Sequence, residues 1–327
     1  MKILARVQPQ LLALLPLAVV LLLGLVFHAN GAFYTWGIHR DMLREVSVLG
    51  ILACGMTLVI VTEGIDLAVG SILALAAVSF SLLSLHLGWP AGLSILVVLL
   101  LGIGCGLASG GLVAWARLPA FIATLAMMVF ARGLAKQFSG GQKISSYRLE
   151  ADGQFHSLPT PAIFETLDTR VLGGQLSVVT LVFFACVVIT WVLVERLRVG
   201  RYLLAVGGNR EAARLSGVPV RLTICLAYGL SGLFAAVAGI CQAAQETQGD
   251  PETGLGYELD AIAMVVLGGT SLSGGRGGIG RTVLGVLTLG YLQKVLSLHA
   301  FSTEARLMLT GVIIVLAVLF QRRFERD

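Results

Sequence analysis

Residues 43–87 read LREVSVLGILACGMTLVIVTEGIDLAVGSILALAAVSFSLLSLHL, two apolar runs, Leu43 to Thr62 and Leu67 to Leu87, parted by a short polar stretch. Each run is about 20 residues long, and at a rise of about 1.5 Å per residue that is enough for a helix to cross a hydrocarbon core about 30 Å thick. Between them Thr62 to Ser71 places two carboxylates, Glu63 and Asp66, and two glycines, Gly64 and Gly70. A helix must break or turn here, because carboxylates are expensive in hydrocarbon and belong in protein or in a water-filled cavity. The whole chain repeats this pattern. Of its 327 residues 57% are hydrophobic and only 13% charged, and mean hydropathy is +0.90, more apolar than a soluble domain of this size tolerates. The chain is therefore an all-α integral membrane protein. Its 40 glycines suit close helix contacts and broken helices around a pathway, which favours a transporter over a simple anchor.

Working outward, ten apolar windows are candidate spans: Leu11 to Phe27, Leu43 to Thr62, Leu67 to Leu87, Gly92 to Trp115, Ala120 to Phe138, Leu176 to Val194, Leu222 to Ala243, Ala261 to Gly269, Thr282 to Leu298 and Leu307 to Phe320. The first is too long for the apolar core of a secretory signal and is read as a retained helix. The eighth is short and spans only if it begins near Tyr257 or runs on into the glycines that follow. Short cytoplasmic loops carry the excess of Lys and Arg. Residues 195–221 hold Arg196, Arg198, Arg201, Arg210, Arg214 and Arg221 against Glu195 and Glu211, and Arg322, Arg323 and Arg326 follow the last window. Ten crossings put both clusters and the N-terminal Lys2 and Arg6 on one side, so both ends face the cytoplasm. By the same parity 139–175 and the acidic stretch 244–260 are extracytoplasmic loops of one transmembrane domain, 1–327. The net charge of +5 is a topology signal and not a nucleic-acid signature, since the arginines sit at the ends of apolar segments.

Four features carry mechanism. At the 62–71 break Asp66 is favoured as a cap for the next helix, while Glu63 is either a solute contact or part of a surface hairpin. Residues 267–280 form a second broken or re-entrant segment, with Gly268, Gly269, Gly274 and Gly275 as hinge points. This stretch lacks a Gly-Lys-Ser/Thr ending and a preceding strand, so it is not a Walker motif. Asn209 is a natural N-cap, Glu211 suits the positive first turn, and Gly217 with Pro219 makes a stop, which defines a short helix across the cytoplasmic face. Its small-residue centre, Ala212-Ala213, beside Arg214 fits a knob that docks into another protein. Finally, Leu118-Pro119 opens a helix bearing Phe121 and Thr124. Phe121 is either an aromatic platform for a solute or, as is usual at the start of an apolar helix, a packing or interfacial residue. The five histidines are scattered, and the five cysteines lie in or beside apolar spans without a CxxC pair. No metal or nucleophile constellation appears, and an enzyme reading has nothing to rest on.

These residues resemble the permease family of the ribose-type ATP-binding-cassette importers. Gly64-Ile65-Asp66-Leu67 is similar to a family segment in which serine usually stands at Ala68, and Leu118-Pro119 through Leu125 with Arg132-Gly133 is similar to a second. Ala205 to Asn209 with Glu211 to Gly217 is similar to the region that couples to the ATPase. Glu258 to Ala263 through Gly268-Gly269-Thr270-Ser271-Leu272 and Gly274 to Gly277 is similar to the most specific block. The resemblance implies a permease of the bacterial inner membrane working as a homodimer or heterodimer with a second permease. It implies an ATPase subunit with two nucleotide-binding domains, on which ATP and Mg bind, and a periplasmic or lipid-anchored sugar-binding protein. Glu63, Asp66, Phe121 and Thr124 would then belong to the solute path, and Asn209, Glu211, Ala212, Arg214 and Gly217 to the ATPase contact. A stand-alone transporter driven by an ion gradient is the alternative, and the Asn209 to Gly217 docking helix is the feature that argues against it. Pentose, hexose and furanose solutes all remain open.

Overall fold

The computed structural model describes residues 9–149 and 155–299, with part of 301–315. Lys2, Arg6, most of the tenth window and the last arginine cluster lie outside the described residues. The helices are α1 (Pro9–Val26), α2 (Trp36–Ile60), α3 (Val69–Ser81), α4 (Ala91–Ala114), α5 (Ala120–Ser139), α6 (Ala162–Asp168), α7 (Val178–Trp191), α8 (Arg198–Gly208), α9 (Arg210–Leu215), α10 (Val220–Glu246), α11 (Tyr257–Leu267) and α12 (Ile279–Leu298). A π-helical turn lengthens α3 to His86 and another lengthens α7 to Arg196.

Among the described residues six helices are long and apolar enough to cross a membrane: α2, α3, α4, α5, α7 and α10, with α3 and α7 counted through their π turns. Burial separates them into two groups. The apolar windows of α2, α3 and α10 are 83%, 83% and 78% buried, against 28%, 22% and 33% for α4, α5 and α7. The first three are therefore the core, and the others turn a face outward.

Small residues set the closest approach in that core. Gly102, Gly106 and Gly110 recur every fourth residue and so share one face of α4. A Cβ at Gly106 would overlap the Tyr228 carbonyl, and one at Gly110 would stand 2.8 Å from the Cys225 Cα; both partners are on α10. Lipid tails are as apolar as leucine, so helices in a bilayer associate through such backbone contact and packing rather than through a hydrophobic drive.

Two helix breaks of opposite sense flank α10. After α2 the chain reverses at Glu63 (φ +65°) and climbs back into the protein against α10, so that α3 starts inside it. After α10 the chain enters from the other face: Gly249 packs on Ala77 and Gly254 on Gly70, both on α3. Those contacts are separated by seven residues of helix, so the chain descends about 10 Å through the turns of 250–256 before α11 begins. Most of 247–256 thus lies against α3. Helix α11 starts at Tyr257, as the sequence suggests for its window, but 11 residues cover only about 16 Å, so the turns ahead of it supply the rest of the depth.

The loop 139–175 folds over the outer ends of the core helices. Phe164 of α6 stacks on Phe80 with centroids 5.0 Å apart, Arg170 pairs with Asp41 at 2.8 Å, and Arg44 pairs with Asp168. Three short antiparallel pairings join β1 (Ile144–Ser145) to β6 (Gln248–Gly249), β2 (Tyr147–Leu149) to β3 (Phe155–Ser157), and β4 (Arg170–Val171) to β5 (Leu176–Ser177).

Overpacking a tight helix contact costs about 1–3 kcal/mol or more. Gly106→Leu should therefore lower the melting temperature of the purified chain in detergent, followed by tryptophan fluorescence. Gly104→Leu, two residues away with open space around it, should leave the melting temperature unchanged.

Candidate functional site

Helix α9 has only six residues and owes its order to its ends. The Asn209 side chain accepts the Ala212 N–H at 2.9 Å, which makes it the N-cap its sequence suggests. Glu211 lies in the positive first turn, and Arg214 donates to it at 3.2 and 2.5 Å. That guanidinium, by hydrogen bonding first and charge second, holds the Glu211 carboxyl below its ordinary range. The helix stops at Gly217 (φ +81°), whose N–H reaches the Arg214 carbonyl, and the next N–H, of Val218, reaches that of Ala213. Ala213 is buried and roots the helix, while Ala212 is exposed and Leu215 is 77% exposed.

Beneath α9 three distant pieces of backbone meet. The Gly275 N–H donates to the Val61 carbonyl at 3.0 Å, at the point where α2 has just ended. The end of α8 packs on the same place, and a Cβ at Gly207 would overlap the Val61 carbonyl. Gly274 completes the clasp, with Glu63 N 2.9 Å from where its Cβ would stand. Glu63 carries the junction to α9, its carboxylate 3.8 Å from Arg210. Beside this junction an open cleft of about 810 Å³ runs between the α4–α5 turn and α10, with Arg117, Arg210, Arg214 and Arg221 on its walls against Glu63 and Glu211. Its excess of positive charge suits an acidic protein partner.

Asp66, three residues past Glu63, is buried. Its Oδ1 accepts the Ala68 N–H at 3.0 Å and its Oδ2 accepts the Ser231 hydroxyl at 2.8 Å. Tyr228 donates to the Ile65 carbonyl at 3.4 Å, and the Thr124 hydroxyl, which bonds the Ala120 carbonyl of its own helix at 2.8 Å, lies 3.3 Å from the same Ile65 oxygen. The break survives because neighbouring helices satisfy the backbone groups that leave the helical ladder. Gly64 lies where a Cβ would meet the Tyr228 hydroxyl at 2.5 Å.

The candidate residues therefore fall into two groups. Glu63, Gly274 and Gly275 gather behind Asn209, Glu211, Ala212, Arg214 and Gly217, while Asp66, Gly64 and Thr124 gather at the break. Phe121 is 56% exposed on the outside of the chain, away from Asp66. Gly70 faces Gly254, and Gly268 lies against the backbone of Arg281, whose guanidinium donates to the Gly269 carbonyl. Sequence reasoning missed Tyr228 and Ser231. Their signal was two hydroxyls on the otherwise apolar face of α10.

Over residues 38–318 the chain matches the family described as branched-chain amino acid transport system / permease component. The chain belongs to this permease family. The permease is 38% identical over 316 residues to the ribose import permease protein RbsC of Escherichia coli (strain K12), covering 94% of its own length and 92% of that protein. To the L-arabinose transport system permease protein AraH of the same strain it is 36% identical over 326 residues, covering 97% and 92%. To the galactofuranose transporter permease protein YtfT it is 34% identical over 326 residues, covering 94% and 89%. No solved structure gives a significant match. The resemblance to ribose-type permeases read from the motifs is thus borne out, and with six apolar helices the permease is a multi-pass membrane protein.

Leaving buried donors without an acceptor costs about 1–3 kcal/mol. Asp66→Ala should destabilise the permease by that amount in a detergent melt, and Asp66→Asn, which keeps one acceptor, by less. A parental melting temperature for Asp66→Ala would contradict the role given to this carboxylate.

Proposed function

We propose that this permease is the transmembrane subunit of a binding-protein-dependent importer that moves a monosaccharide across the bacterial inner membrane. ATP hydrolysis on a partner subunit drives it by alternating access. The observation that carries this reading is the doubly capped, exposed α9 fixed by the glycine clasp to the point where α2 ends. A transporter running on an ion gradient alone has no use for such a docking surface. Relatives named for ribose, L-arabinose and galactofuranose transport support the solute class. The chain has no Walker motif, so ATP and Mg bind on the ATPase, which engages α9 and the arginine-rich cleft beside it.

In this reading the chain crosses ten times with both ends inside, 195–221 faces the cytoplasm, 139–175 meets the binding protein outside, and 244–260 enters the protein from that outer side. Two permeases enclose the path. Closure of the nucleotide-binding domains pushes α9, Gly207 passes the displacement to Val61 and Gly275, and the reversal at Glu63 moves with them. The break around Asp66, held by hydrogen bonds to α10 and α5, is the element with two arrangements. The ATPase supplies the free energy, and this chain supplies contacts that differ between the inward- and outward-facing states.

Glu211→Lys removes the acid from the first turn of α9 and sets a second positive charge beside Arg214. In the reconstituted complex it should cut solute-stimulated ATP hydrolysis several-fold while the subunits still copurify. An unchanged stimulated rate would overturn the assignment of α9 as the ATPase contact.

A further inference from the structure

Helices α3, α5 and the start of α11 meet around an open cleft of about 190 Å³, lined by Ser71, Met128, Val129, Arg132, Leu255 and Glu258. Its depth follows from the helix contacts. Ser231 of α10 bonds Asp66, and Gly239 of α10 packs on the Leu73 carbonyl, so Gly70 stands level with a point between them. That point is about 16 Å from the Glu246 end of α10, close to the middle of a core about 30 Å thick. Glu258 is at this level, because its Oε2 would lie 2.7 Å from a Cβ placed on Gly70. Arg132 is twelve residues into α5, about 18 Å from its start.

Two charged side chains at mid-depth beside a cleft do not face lipid, since they belong where protein or water meets them. Helix α4 makes the contrast: Ala91–Ala114 carries no charged residue and turns Leu93, Leu96 and Leu100 outward, as a lipid face does. The cleft has the opposite build, with Val129 and Leu255, 65% and 63% exposed, as an apolar rim around the guanidinium and the carboxylate. Arg132 is held in place. Its Nη1 donates to the carbonyls of Pro251 at 2.5 Å and Thr253 at 2.7 Å, which also ties down the turns ahead of α11. Among the described ion pairs none joins Arg132 to Glu258. A tethered donor and a carboxylate acceptor therefore stand together at the cleft, open to a guest whose hydroxyls both donate and accept.

We infer that the Arg132–Glu258 cleft is half of a mid-membrane station for an uncharged polyhydroxylated solute, completed by the same cleft on a second copy of this chain; the inference rests on the importer reading above. One cleft is smaller than the roughly 300 Å³ at which small-molecule sites begin, and a two-fold axis sets the identical surface opposite it. Ser71, in the first turn of α3, and the apolar rim shape the space around the polar pair.

The test uses the complete importer in proteoliposomes. Glu258→Gln keeps the shape and removes the charge, and solute uptake should fall at least tenfold while binding-protein-stimulated ATP hydrolysis stays within twofold of the parent. In a Cys225→Ser background, which removes the one cysteine that is not buried, Leu255→Cys should react with a charged, membrane-impermeant thiosulfonate at least tenfold faster than Leu100→Cys on α4. A short bis-thiosulfonate should link two copies through residue 255. Parental uptake by Glu258→Gln, or labelling at 255 no faster than at 100, would overturn the inference. If the parent shows no ATP-dependent uptake while residue 255 is labelled and linked, the importer reading fails and the water-lined cleft between two copies stands.

Discussion

The hydrogen bond from the Gly275 amide to the Val61 carbonyl is the contact on which the rest of this architecture depends. A helix that ends leaves carbonyls without partners, and Val61 is fully buried, so its carbonyl needs a partner from the protein. At the end of α2 the partner comes from a loop more than 200 residues later in the chain. That loop reaches the carbonyl only because Gly207, Gly274 and Gly275 have no side chains to hold the three strands of backbone apart. The same closeness fixes α8 and, through Asn209, the exposed helix α9. An exposed, capped helix and a helix break thus share one backbone junction.

Beyond that junction both breaks are held by side chains from neighbouring helices. At the first break Asp66 takes the Ala68 N–H and the Ser231 hydroxyl, and Tyr228 donates to the Ile65 carbonyl. At the second break Arg132 takes up the Pro251 and Thr253 carbonyls. The two breaks enter from opposite faces, the first held on α10, the long helix against which α2, α3 and α4 all pack, and the second on α3.

Much of this was legible in the sequence, for reasons tied to particular residues. Carboxylates between two apolar runs have no stable place in a continuous membrane helix, so the interruption at Glu63 and Asp66 could be read at once. Asn209, Glu211 and Gly217 are local signals, and their capping roles hold because they depend only on neighbours in the chain. What stayed hidden depends on contacts across the fold. Glu63 and Asp66 are three residues apart, yet one lies at the surface beside Arg210 and the other is buried on Ser231, because the backbone reverses at Glu63. The acidic composition of 244–260 resembles that of an exposed loop, and only the contacts of Gly249 and Gly254 with α3 reveal its descent. The spacing of Gly102, Gly106 and Gly110 marks a close helix contact but does not say that α10 is the helix that fills it.

The central claim is that the docking helix and the glycine clasp move as one body during transport. Double electron–electron resonance tests it directly, with spin labels at Leu215 on α9 and Leu272 on the glycine-rich loop of one permease in an otherwise unlabelled importer; both side chains are exposed. Between the nucleotide-free and vanadate-trapped states the Leu215–Leu272 distance distribution should stay the same, while the distance between Leu215 positions on the two permeases, labelled separately, changes. A Leu215–Leu272 distance that shifts as far as the distance between the two copies would contradict the account.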